Sequence, residues 1–208
     1  MKTVADIHLH IIPDVDDGER DIDEALEMID LAVSQGAGIL FATPHSSALD
    51  YGDRTAFMEF EDLKAIVEEI HPGLVLKLGT EMHCVAGYVE ENIDMLNKGY
   101  FPTMGGTRYV LTEFSPFRTT EEEAAFCVKK LTKAGYIPVI AHTERYKFAP
   151  TASVNKLKEL GALIQINYYS VEKESDSYYS QPNRALAARL RATTYGLRWV
   201  LPIAEGDL

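Results

Sequence analysis

The sequence predicts an α/β fold in which parallel βα units close into a barrel. Short apolar runs alternate with helical stripes along the chain, and no Gly/Ser-rich linker divides them, so one domain over 1–208 is expected. A polar residue also stands at the end of run after run: His10, His45, Glu81, Glu113, His142 and Asn167. In a β/α barrel the carboxyl ends of the strands converge on one face, where ligand-binding and catalytic residues gather. Six such residues in succession are hard to read as solvated surface.

The first strand is expected over 4–11, where Ile7, Leu9 and Ile11 alternate with Asp6, His8 and His10, so that the three polar groups share a face. A helix opens at Asp21, with Glu24 three residues on as in a capping box. It carries Ile22, Ala25, Leu26, Ile29 and Val33 on one stripe and stops at Gly36 and Gly38. Strand, helix and strand follow over 38–43, 56–70 and 74–80, then a strand over 109–114. Thr120 with Glu123 opens a further helix ending at Gly135, before a strand over 137–141, a helix near 153–160 and a strand over 163–167.

The 208 residues, 46% of them hydrophobic and 25% charged, suffice for one sizeable core of a soluble globular protein. No run of about eighteen apolar residues and no basic-then-apolar leader occurs, so no membrane insertion and a cytoplasmic location are expected. A formal charge of −12 argues against a nucleic-acid groove and is compatible with a cation-filled site. Cys84 and Cys127 lack metal-type spacing. Glu90 and Lys133 stand six residues beyond them, so the cysteine-and-arginine phosphate loop of thiol-based phosphatases is absent and both are expected as core thiols.

Imidazole nitrogens mixed with carboxylate oxygens suit Zn, Mn or Fe better than an all-oxygen shell would. His8 and His10, two residues apart on a strand, place two imidazoles on one face about 7 Å apart, within reach of one ion. Bound metals would activate water near neutral pH and clamp phosphoryl oxygens, which fits phosphoester hydrolysis. Arg145, three residues beyond His142, is placed to bind phosphate oxygens bidentately; the alternative for it is a surface ion pair.

The segments DIHLHIIPDVDDG (6–18), ATPH (42–45), GTE (79–81), LTEF (111–114) and GYIPVIAHTERY (135–146) resemble the PHP-type bacterial tyrosine phosphatases that accompany capsule and exopolysaccharide gene clusters. The resemblance covers about the first 170 residues. It implies a distorted (β/α)7 TIM-like barrel of the PHP superfamily, up to three metal sites commonly served by manganese (with Zn, Fe or Mg as alternatives), and dephosphorylation of phosphotyrosine on a bacterial tyrosine kinase. Carried over by motif, the metal ligands are His8, His10, Asp17, His45, Glu81, Glu113 and His142, with Asp17 also in a catalytic role and Arg145 holding the phosphate. Asp17 is chosen because it directly precedes Gly18, leaving Asp14 and Asp16 as a solvated acidic loop. Glu144 is expected to orient its loop and His71 to serve a helix end, while His83 is a minor candidate ligand.

The family closes its site with a late Asp-x-His, but no histidine follows His142 here. From about 170 the chain is atypical. Lys is absent after Lys173, and Arg184, Arg189, Arg191 and Arg198 take over. A rebuilt or truncated C-terminus fits that break, as does an ordinary helix over 183–192 followed by a strand over 197–201. One metal position is therefore expected to be incomplete unless Glu205, Asp207 or a neighbouring chain supplies ligands. The alternatives in function are a small-molecule phosphatase such as a histidinol-phosphatase and a weakened metal- or partner-binding remnant; oligomeric state is left open.

Overall fold

The computed structural model describes residues 4–49 and 55–167. The helix and strand expected over 183–192 and 197–201, and Glu205 and Asp207, lie outside them. The fold is a mixed α/β arrangement with parallel sheets, and the chain gathers into two compact units, whose described parts are 4–82 with 95–107 and 83–94 with 108–167.

In the first unit, β1 (Val4–Leu9), β2 (Ala37–Ala42) and β3 (Val75–Leu78) form a parallel sheet in that order, joined by α1 (Ile22–Ser34) and α2 (Thr55–Ile70). Helix α1 starts at a local signal. Asp21 caps α1 by accepting from the Glu24 amide at 3.0 Å, and Asp23 and Glu24 complement the helix dipole. The reciprocal half of the capping box is displaced by one residue, since Glu24 accepts from the Arg20 amide rather than that of Asp21. Beyond α1 the chain turns at Gly36, whose φ of +93° a side chain would strain. Ile11, Ile12, Ala25, Ile29, Leu40, Phe60, Leu63, Val67 and Leu76 fuse into one buried core, so strand and helix stripes meet as their periodicity requires. Removing a side chain such as Phe60 from it should cost about 3–5 kcal/mol.

The other sheet runs β4 (Glu81–His83), β5 (Tyr109–Glu113), β6 (Ile137–Ile140) and β7 (Leu163–Ile164) in that order, with β5, β6 and β7 parallel. Helices α4 (Glu121–Lys133) and α5 (Thr151–Glu159) connect the last three and pack on one another. Here the capping box is complete: Thr120 and Glu123 satisfy each other's amides. Three glutamates open α4 and Lys130 and Lys133 close it.

Strand β4 and helix α3 (Val89–Asn97) were absent from the sequence expectation, which placed no element between 80 and 109. Strand β4 is only three residues long, and α3 continues from the short 3-10 turn Ala86–Tyr88, whose N-cap Val85 offers no side-chain cap, so neither has a start signal in the sequence. The first strand also ends at Leu9 rather than at residue 11: its last pair is Leu9 with Ala42, and the His10 carbonyl accepts from the Glu19 amide instead.

Candidate functional site

In the first unit the acidic loop after β1 folds back on the strand that precedes it. The Glu19 amide donates to the His10 carbonyl, and a Cβ on Gly18 would lie 2.0 Å from that same oxygen, so only glycine fits where the Asp-Asp-Gly turn closes. The turn delivers two carboxylates to different places. Asp16, with a side chain 5% exposed, accepts from His10 Nδ1 at 2.7 Å, from the His45 amide at 2.9 Å and from the Gly18 amide at 3.1 Å. Asp17 remains 77% exposed, with Oδ1 3.4 Å from His45 Nε2 and 3.7 Å from His10 Nδ1.

That corrects the expectation for Asp16. It is no solvated loop residue but the group that orients His10 and fixes the His45 backbone. Asp14 is exposed as expected, in a left-handed conformation that Asp tolerates.

Glu81 stands at the centre. It is 1% exposed, and three imidazoles converge on it: His8 Nε2 at 3.2 Å from Oε1, and His10 Nε2 at 3.1 Å and His45 Nδ1 at 3.2 Å from Oε2. The isolated bridge between His45 and Glu81 and the 2.9 Å bond from the Glu81 amide to the Pro44 carbonyl bring these two chain segments together. A buried carboxylate needs positive partners. Burial opposes the His10 imidazolium, but hydrogen bonds to Asp16 and Glu81 outweigh it and push its pKa up to about 10. The same bond, with those from the His45 and Gly18 amides, overcomes burial at Asp16 and lowers its pKa.

These spacings fit a divalent ion. Two donors about 2.1 Å from one ion lie about 3.0–3.4 Å apart at tetrahedral or octahedral angles. His8 Nε2 and His10 Nε2 are 3.3 Å apart and each lies 3.1–3.2 Å from a Glu81 oxygen. With His10 Nδ1 engaged by Asp16, the Nε2 lone pair of a neutral ring would face a carboxylate, an opposition that a cation relieves. Two sets, His8 with His10 and Glu81, and His10 with Asp17 and His45, each bring ligand atoms within 4.8 Å of one another.

The second unit gathers its own set at the carboxyl ends of β5 and β6. His142 Nε2 lies 3.7 Å from Glu113 Oε1, and His83 Nδ1 lies 3.6 Å from Glu113 Oε2, so the minor candidate does share the Glu113 carboxylate. His142 has a left-handed backbone, φ +29°, which for a non-glycine residue costs about 1–3 kcal/mol. Gln165 holds it there, its side-chain oxygen accepting from the His142 amide and its carbonyl from the Thr143 amide. Arg145 follows on a single 3-10 turn, half-buried, its amide bonded to the His142 carbonyl at 2.8 Å. Glu144 is buried and accepts from the Asn167 amide at 3.1 Å, which ties its loop to the chain beyond β7 as a loop-orienting role requires.

Gln165 went unnoticed in the sequence, because a glutamine two residues short of the expected strand end carries no spacing signal. Cys84 and Cys127 are buried, form no disulfide and are hydrogen-bonded to each other; that bond and burial push the Cys84 thiol up, while the same bond lowers Cys127, and burial of both suits core thiols. His71, just past α2, has Nε2 2.7 Å from Asp30 Oδ1 on α1, a structural contact.

Residues 4–189 match the family described as capsular polysaccharide synthesis, CpsB/CapC. The chain belongs to this family. Among its relatives, tyrosine-protein phosphatase CpsB of Streptococcus pneumoniae is 30% identical over 81% of this chain and 69% of its own length. Tyrosine-protein phosphatase YwqE of Bacillus subtilis is 33% identical over 94% and 71%. A crystal structure from work on YwqE and CpsB, described as unique metal-dependent tyrosine phosphatases, superposes with a TM-score of 0.74 at 30% identity, covering 90% of this chain and 74% of that one. Among the described residues no helix is long and apolar enough to cross a membrane.

Proposed function

We propose that this chain is a metal-dependent tyrosine-protein phosphatase acting in capsular or exopolysaccharide regulation. The observation that carries this reading is the buried Glu81 carboxylate shared by three imidazoles at metal-ligand spacing, in a chain whose relatives are tyrosine phosphatases. In this reading His8, His10, Asp17, His45 and Glu81 of the first unit, and Glu113 and His142 of the second, are metal ligands. Manganese is the proposed ion, since mixed imidazole and carboxylate donors suit it. Bound divalent ions activate water for attack on phosphorus and neutralise phosphoryl charge.

The chain's own residues do the rest. Asp16 keeps the His10 Nδ1 proton in place and so presents Nε2 as the ligand atom. Arg145 binds the phosphoryl oxygens through its guanidinium fork. Gln165 and Glu144 hold the loop that carries Arg145. The parallel βα pairs of both sheets support a single distorted seven-unit barrel of the PHP type as the architecture. A phosphotyrosine on a bacterial tyrosine kinase, met in the cytoplasm, is the proposed substrate.

A strong chelator is expected to abolish turnover of a phosphotyrosine peptide, with Mn among the better restoring ions, and histidinol phosphate is expected to be the poorer substrate. Full activity in protein shown metal-free by elemental analysis would overturn the metal assignment. Preference for histidinol phosphate would replace the protein substrate with a small molecule.

A further inference from the structure

The second unit leaves several large apolar side chains exposed. Among its described residues they are Val85, Tyr88, Phe117 and Phe126, at 41%, 61%, 49% and 45% exposure. Phe126 lies on α4, where the Lys130 ammonium sits 5.4 Å from its ring centroid. The other three belong to the two loops that follow β4 and β5. The Cys84 amide donates to the Glu113 carbonyl at 2.8 Å, so the turn bearing Val85 and Tyr88 departs beside the end of β5 that carries Glu113.

Phe117 is the best positioned of them. Its loop is pinned to the segment that carries Arg145: the Phe114 amide donates to the Tyr146 hydroxyl at 3.0 Å, and the Lys147 amide to the Pro116 carbonyl at 3.0 Å. Beneath, Phe114, Tyr146 and Phe148 pack ring against ring at 5.1–5.9 Å, which makes the platform rigid. A half-exposed phenyl ring on a loop tied to Tyr146 and Lys147, the two residues that follow Arg145, is placed to meet whatever the phosphate is attached to. A flat ring suits an aryl group and offers little to a short polar alkyl chain.

We propose that Phe117 stacks on the aromatic ring of the substrate phosphotyrosine and so selects aryl over alkyl phosphomonoesters. The inference rests on the phosphatase reading above and on Arg145 as its phosphate ligand. Binding tests it without turnover, in the full metal-loaded chain, with phenylphosphonate and methylphosphonate as probes. Wild-type protein should bind phenylphosphonate more tightly. Phe117→Ala should weaken phenylphosphonate about tenfold, the equivalent of one lost stacking contact with its buried area, while methylphosphonate changes less than about twofold. Phe117→Tyr should restore the preference, and Phe126→Ala, which removes an equally exposed ring elsewhere, should not disturb it. Equal binding of the two probes by wild type, or an equal loss of both in Phe117→Ala, would overturn the proposal. Failure of the phosphatase reading shows differently, as neither probe competing with a phosphotyrosine peptide.

Discussion

The two units meet the same problem, a carboxylate surrounded by imidazoles, in different ways. In the first, Glu81 is buried and three ring nitrogens lie 3.1–3.2 Å from its oxygens, with Asp16 behind His10 to fix the tautomer. In the second, Glu113 is 19% exposed, its imidazoles stand off at 3.6 and 3.7 Å, and an arginine follows one turn beyond His142. Tight packing around a buried carboxylate calls for a positive partner there, an imidazolium or a bound cation. In the reading proposed above, the first set would hold metal the more firmly, and the second, one turn before Arg145, would be where metal and phosphate meet.

Substituting the two carboxylates separately breaks or keeps that distinction. Glu81→Gln should drop metal content measured by elemental analysis and reduce phosphatase activity to background, since it removes a ligand shared by three imidazoles. Glu113→Gln should leave more metal bound while still lowering kcat. Equal metal loss in the two variants would show the sets to be equivalent.

Next in size is Arg145. If its role is to hold phosphate, Arg145→Ala should lower kcat/KM on the order of 10²-fold and Arg145→Lys less, with metal content and thermal midpoint unchanged. Wild-type kinetics in the alanine variant would return Arg145 to the alternative of a surface ion pair. A smaller loss is expected at Asp16, which touches no metal in this reading. Asp16→Asn should weaken metal binding about 10- to 100-fold, as removal of a ligand-orienting carboxylate does elsewhere, and a titration with Mn that finds unchanged affinity would reassign Asp16 to loop closure alone.

Those substitutions also mark how far the sequence could be read. Alternation in 4–11 and the caps at Asp21 and Thr120 placed β1, α1 and α4 within a residue or two, because period and capping are local properties. Strand-end spacing singled out His10, His45, Glu81, Glu113, His142 and Asn167, and alternation added His8; the structure gathers His8, His10 and His45 around Glu81, and His142 near Glu113. Asp16 and Gln165 escaped for the opposite reason. Each acts through a turn or a strained backbone, at Gly18 and at His142, whose geometry depends on chain brought back from elsewhere. That Asp16 turns inward while Asp17 stays exposed goes with a turn closed by Gly18 against the His10 carbonyl, which no spacing encodes.

The last prediction uses pH to isolate the His10–Asp16 pair in the metal-free protein. The His10 pKa, raised from 6.5 to about 10, means that its imidazolium contributes stability fully below pH 6.5 and loses it as pH rises through 10. Asp16, lowered from 3.8, contributes above pH 3.8 and loses that contribution as pH falls through its folded value. Denaturation midpoints of metal-free protein should thus decline on both sides of a plateau between about pH 4 and 6.5. Asp16→Asn should shrink both limbs by removing the carboxylate that opposes burial of the charged ring. Metal runs against the alkaline limb: an ion must displace the His10 Nε2 proton, so apparent affinity should climb with pH up to about 10 and binding near pH 7.5 should release a proton. Calorimetry in two buffers of different ionisation enthalpy measures that proton directly. A metal titration that releases none, with a flat stability profile between pH 6.5 and 10, would mean that His10 is neutral in the metal-free protein and that the Glu81 charge is balanced by another group.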